Sequence, residues 1–154
     1  MQPAEVPEFM QPQWFFPLFA VGWFAVCGVL ALSSGWRSLA ERFPAPAQVN
    51  GERFRFASAS MGLVPWFPVR YSGCVFFTVG TAGLAMSLLF LFRFLSPPLF
   101  VPWSQVASVE EKAGFFGRRA VVRFKNSAVV LTLYGRAASS VTSTHAKAHA
   151  AVAP

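Results

Sequence analysis

The groups in this chain that could do chemistry are two histidines, six carboxylates and thirteen basic side chains. His145 and His149 stand four apart, a spacing that puts two imidazoles on one helix face and could suit a divalent metal. They lie in an alanine-rich stretch with no third ligand near them in sequence, and a solvated tail accounts for them as well. There is no Asp, and beyond residue 36 the only carboxylates are Glu41, Glu52, Glu110 and Glu111. Acid–base and hard-metal chemistry are therefore thinly supplied. Neither a Gly-x-Ser-x-Gly elbow nor a phosphate-cradling glycine loop is present. Read this way, the sequence calls for no catalytic residue, cofactor or metal, and the expectation is a non-enzymatic protein.

The basic residues are better candidates. Arg118, Arg119, Arg123 and Lys125 cluster around one expected strand, with Arg119, Arg123 and Lys125 on one face. A solvated strand face that deters edge pairing is one account. Contact with anionic lipid headgroups or a membrane protein partner is the other, each cation near a bilayer contributing roughly 1 kcal/mol. Trp103, in Phe-Val-Pro-Trp-Ser, is a partner-anchoring candidate set against ordinary core packing. No aromatic–basic platform of the kind that stacks bases occurs, so nucleic acid is not expected.

What must position these groups is set by hydropathy. The chain is 55% hydrophobic and 12% charged, with 18 Phe, against about 25% charged for an average soluble domain. Residues 14–36 carry no charge, and a helix over 14–34 is long enough to cross the roughly 30 Å hydrocarbon layer. Trp14 and Trp36 bracket it as interface anchors, with Arg37 and Arg42 at its C-terminal end. All 13 basic residues follow residue 36, so the positive-inside rule puts the N-terminus (1–13) outside and the remainder on the cytoplasmic side. The rival readings are a cleaved signal, for which Ala31-Leu32-Ser33 offers a small-x-small site, and a lipoprotein. The first lacks a basic n-region and the second has Val26 before Cys27. Cys27 and Cys74 make no disulfide framework and read as small buried hydrophobes.

Residues 71–92 are also uncharged. As a second span they would leave five basic residues on one side of the membrane and eight on the other. The glycines and threonines of Thr78-Val79-Gly80-Thr81-Ala82-Gly83 suit a strand–turn–strand instead. The flanks read as β: Phe54 and Phe56 alternate with Arg53 and Arg55, and 118–135 alternates, turns at Lys125-Asn126-Ser127 and resumes with Val129, Leu131 and Leu133. The expectation is a buried β-hairpin, with Leu84 to Phe92 as a strand buried on both faces. A two-helix protein, its second span at 71–95 and serving as a small subunit of a membrane complex, is the alternative.

The expected order is a membrane helix at 14–34, a juxtamembrane helix and linker at 35–50, six or seven antiparallel strands over 51–143, and a disordered tail at 144–154. A short helix closes the β-domain. The stretch TVGTAGLAMSLLFLF…LFVPWSQVASVEEKAG…AVVRFKNSAVVLTL resembles the middle of PH-like and GRAM-like split barrels. The segment SGWRSLAERFPAP after one membrane helix is similar to small bacterial membrane proteins of uncharacterised function. The resemblance implies a split-barrel fold on an anchored topology, and no activity.

Overall fold

A computed structural model describes residues 12–64, 66–115 and 117–152; most of the expected outer segment 1–13 lies outside them. Helix α1 (Pro12–Ser33) leads through a left-handed Gly35 into α2 (Trp36–Arg42). Seven strands follow: β1 (Glu52–Gly62), β2 (Val69–Val79), β3 (Gly83–Leu88), β4 (Leu99–Pro102), β5 (Val106–Gly114), β6 (Gly117–Phe124) and β7 (Val130–Tyr134). Helix α3 (Arg136–Val152) ends the chain. The protein is mainly β, a curled antiparallel half-barrel in the order β4-β3-β2-β1-β7-β6-β5.

Residues 69–88 are strands and not a second span. The β2–β3 hairpin pairs Val79 with Leu84 and Val75 with Leu88, and Gly80 N–H donates to Gly83 O across the turn. A Cβ on Gly83 would collide with the Val101 carbonyl and Pro102 of β4, so this turn requires glycine. The expected strand to Phe92 stops early, however. Leu89 N–H makes a last bond to Cys74 O, and Phe90–Leu95 winds into a 3-10 helix. The apolar LLFLF tract finds its partner on α1 instead of in a sheet: Trp23 and Phe92 rings lie 5.3 Å apart, and the Leu95 side chain closes on Gly28. Among the described residues, Gln13–Ser33 is the one helix long and apolar enough to cross a membrane.

The core lies between the sheet, α2 and α3. Ala120, Val122, Leu131, Leu133, Met61, Phe77 and Leu84 fill it from the strands, with Trp36 and Leu39 from α2. Burial on one face follows the period of two along β6, where Ala120, Val122 and Phe124 point inward. β1 departs from that period. A bulge between Phe54 and Ala57, with Phe56 at φ 54°, turns Phe56 outward against Phe76 at 5.4 Å. The two phenylalanines expected on one face are thus separated, Phe54 half-buried and Phe56 exposed.

Edges are managed at both ends of the sheet. The linker after α2 lies along β4, with Phe100 N–H on Phe43 O and Ala45 N–H on Pro98 O. On β5 the edge carries Glu110, Glu111 and Lys112. The tail expected to be disordered is the second half of α3, described to Val152. Ala137, Ala138 and Val141 are buried, Ala148 packs on the same core, and the His145 ring meets Trp103 edge-on at 5.6 Å. These positions recur every three or four residues and give the helix a docking stripe built from small residues.

Candidate functional site

The joint between α1 and the sheet is built around Ser34, which is fully buried. Tyr71 O–H donates to Ser34 Oγ at 3.0 Å, and Ser34 Oγ donates to Ala31 O and accepts Trp36 N–H, each at 3.3 Å. Burial raises the Tyr71 pKa above its ordinary value, so the phenol stays a neutral donor. Trp36 is 1% exposed, donates Nε1–H to Pro97 O at 2.8 Å and lies edge-on to Tyr71. It is a core residue and not the interface anchor expected from its position after an apolar run. A fold that seats the first residue of α2 in the core leaves it no route to headgroups.

The other expected site residues are dispersed. Trp103 is buried and donates Nε1–H to Gly80 O at 2.9 Å, which makes it a brace of the β2–β3 turn and removes it from any partner surface. Arg42 donates to Asn126 O at 2.7 Å, holding α2 to the β6–β7 turn, while Arg37 pairs with Glu41 at 2.9 Å on the exposed side of α2. Trp14 is exposed at the start of α1. Along β6, register puts Arg119 and Arg123 on the outward face, opposite Lys112 and Ser108 of β5. Lys125 follows in the turn, and Arg118 falls on the opposite face. Arg118 meets Glu111 at 3.5 Å, and Arg123 meets Glu110 at 3.9 Å, with Lys112 on that same Glu110 at 3.3 Å. Exposed pairs of this kind contribute about 0–1 kcal/mol, but they halve the charge that β6 offers an anion.

A second basic surface lies at the other end of the sheet, around β1 to β3. A groove of ≈ 720 Å³ runs between the linker and the outward face of β2 and β3, lined by Pro44, Gln48, Arg53, Phe76, Ser87 and Arg93 among others. A second hollow of ≈ 500 Å³ shares Arg53, Phe76 and Thr78 and adds Arg55 and Phe56. Arg53 comes from β1 opposite Thr78, and Arg93 from the Phe90–Leu95 helix that is packed on α1. Among the described residues, Arg53, Arg55 and Arg93 make no ion pair. Three unpaired guanidiniums beside aromatic rings suit a phosphate or carboxylate, which Arg can hold bidentately.

Alternation alone puts Arg53 and Arg55 on one strand face and makes Arg93 only the end of an apolar tract. The signal for Arg93 was its isolation: one cation inside Phe-Leu-Phe-Arg-Phe-Leu, just before Pro97-Pro98. Its juxtaposition with Arg53, forty residues away, is a matter of topology.

Each carboxylate of the described residues has a polar partner. Glu52 accepts Ser140 Oγ–H at 2.6 Å, and Glu41, Glu110 and Glu111 are ion-paired. Burial pushes the Cys74 thiol above its ordinary pKa, which disfavours the nucleophilic thiolate. His145 and His149 face each other with ring centroids 4.5 Å apart, and burial, then His149, lowers the His145 pKa. Among the described residues, no three His, Cys, Asp or Glu side chains gather to hold a metal. The chain matches no family model, no curated protein and no solved structure.

Proposed function

We propose that this chain is a membrane-anchored, non-enzymatic binding module. In this reading α1 crosses a bacterial inner membrane once, N-terminus outside. The half-barrel works at the cytoplasmic face as a PH-like domain that holds anionic lipid headgroups in the Arg53–Arg93 groove. The observation that carries it is the seat of Arg93: its helix is docked along α1, so the groove opens beside whatever lipid surrounds α1. A ligand that is confined to the membrane surface needs little intrinsic affinity, because tethering raises its effective concentration.

Retention of α1 is supported by its own packing. Cys27 and Ala31 are buried against the domain, and Ser34 and Trp36 continue directly into the core. Cleavage at Ala31–Ser33 would strip that contact from a folded domain. The charge distribution, with all 13 basic residues after residue 36, supports the orientation.

The test is thermal unfolding of the full chain in nanodiscs of neutral lipid and of lipid doped with an anionic species. A ligand that binds only the folded state raises Tm by mass action. The anionic discs should stabilise the wild type by several degrees, less at high salt, and the gain should vanish in Arg53→Gln/Arg93→Gln. Equal Tm in both lipids removes the headgroup reading and favours a membrane protein partner with an acidic segment.

A further inference from the structure

We propose that Phe90–Leu95 is itself a membrane-embedded element, entering and leaving the bilayer on one side, so that the half-barrel is sunk into lipid beside its helix and not hung below it. This inference rests on reading α1 as a membrane span.

Position along α1 is the first observation. Trp23 Nε1–H reaches Leu91 O at 3.4 Å, and Leu95 touches Gly28. Trp23 is ten residues before the end of α1, about 15 Å inside it at 1.5 Å per residue. On its open side α1 exposes Val26, Val29 and Leu32, so an apolar medium has to extend to the end of the helix to cover them. Whatever medium covers these side chains also bathes a segment docked at the level of Trp23.

Composition and exposure are the second. Phe90 and Leu91 point away from the fold, 75% and 49% exposed, and extend the apolar surface of α1 sideways. Backbone in lipid must find its partners within the protein. Here Leu89 N–H bonds Cys74 O, Phe92 N–H bonds Leu89 O, Ser96 N–H bonds Arg93 O, and Leu91 O accepts from Trp23. Arg93 is exposed and lines the groove, as expected of a long side chain carrying its charge back to the headgroups.

The β1–β2 loop independently marks the same plane. Leu63 packs at Gly35, two residues past the end of α1, and the loop holds Trp66 and Phe67 at 87% and 85% exposure. Two bare aromatics at the level where the span ends match the aromatic belt of a membrane interface. The bilayer is thus the one occupant that covers α1, Phe90, Leu91, Trp66 and Phe67 together.

Spin labels on the full chain in proteoliposomes test this. In a Cys27→Ala/Cys74→Ala background, single cysteines go in at Phe90, Phe67, Val29 on α1, and Phe115 in the β5–β6 turn. Phe115 is 100% exposed and lies at the other end of β6 from the β6–β7 turn and the β1–β2 loop. Oxygen-to-nickel-chelate collision ratios should rank position 90 with position 29, both shifted far toward oxygen, position 67 between, and position 115 water-like. Position 90 matching 115 while 29 stays lipid-exposed overturns the embedding and leaves the anchor intact. A water-like position 29 overturns the anchor as well. A dry position 90 whose spectrum is broadened by a neighbouring label, and sharpens on dilution with unlabelled chain, overturns the bilayer as occupant in favour of a second copy.

Discussion

Trp36 and Trp66 are the same residue type in opposite circumstances, and replacing each tests the description of the joint. Trp36 is sealed between α2, Tyr71 and the Pro97 carbonyl. Trp36→Ala removes a large buried side chain, a change that costs roughly 3–5 kcal/mol. Trp36→Phe keeps most of the apolar volume and loses the donor to Pro97 O, which costs roughly 1–2 kcal/mol. At about 4 °C per kcal/mol for a domain of this size, Tm should fall by roughly 12–20 °C for alanine and 4–8 °C for phenylalanine. Trp66→Ala touches an exposed side chain and should stay within about 0.5 kcal/mol, some 2 °C. The assay is thermal unfolding of the full chain in one detergent, followed by near-UV circular dichroism. A Trp36→Ala shift no larger than that of Trp66→Ala would refute the buried joint and return Trp36 to the interface.

Other consequences can be checked alongside. Gly83→Ala drives a Cβ into the Val101 carbonyl and should cost several kcal/mol, while Gly22→Ala, with nothing within 4 Å, should be neutral; denaturant midpoints compare them. His145 has a folded pKa below its ordinary 6.5, so the unfolded chain binds the proton more tightly in that window. Stability should be full above about pH 6.5 and fall as pH drops below it, and His145→Gln should flatten that slope, read from denaturation midpoints between pH 7.5 and 5.5. An unchanged slope in the variant would locate the sensitivity elsewhere. Tyr71→Phe should cost roughly 1 kcal/mol through the lost bond to Ser34, and a neutral result would count against the Ser34 junction.

The strands from β2 to β7 were legible because their signals were local. Alternation in 118–125 and the glycines of the 78–83 turn each act over a few residues. The charge asymmetry around 71–92 carried the decision between hairpin and span. Three features were not local. Phe90–Leu95 leaves the sheet because α1 offers a surface fifty and more residues upstream. Phe56 faces out because a bulge, invisible in the pattern, shifts the β1–β2 register. The C-terminal helix persists because Ala137, Ala138, Val141 and Ala148 pack on the core and the His145 ring meets Trp103, a stripe that residue type alone does not announce. The candidate site suffered most, since the visible cluster on β6 is partly neutralised by Glu110 and Glu111. The unpaired set drew Arg53 and Arg93 from separate elements.

The account stands on the single crossing, because one continuous sheet contains both β1 and β6. Cysteines placed at Glu52 and at Lys125 in the full chain, with Cys27 and Cys74 replaced by alanine, can be challenged in intact and in lysed cells with a membrane-impermeant thiol reagent. The account predicts that both react only after lysis, together. Reaction of one position in intact cells and of the other only after lysis would put a second crossing between them and dissolve the half-barrel.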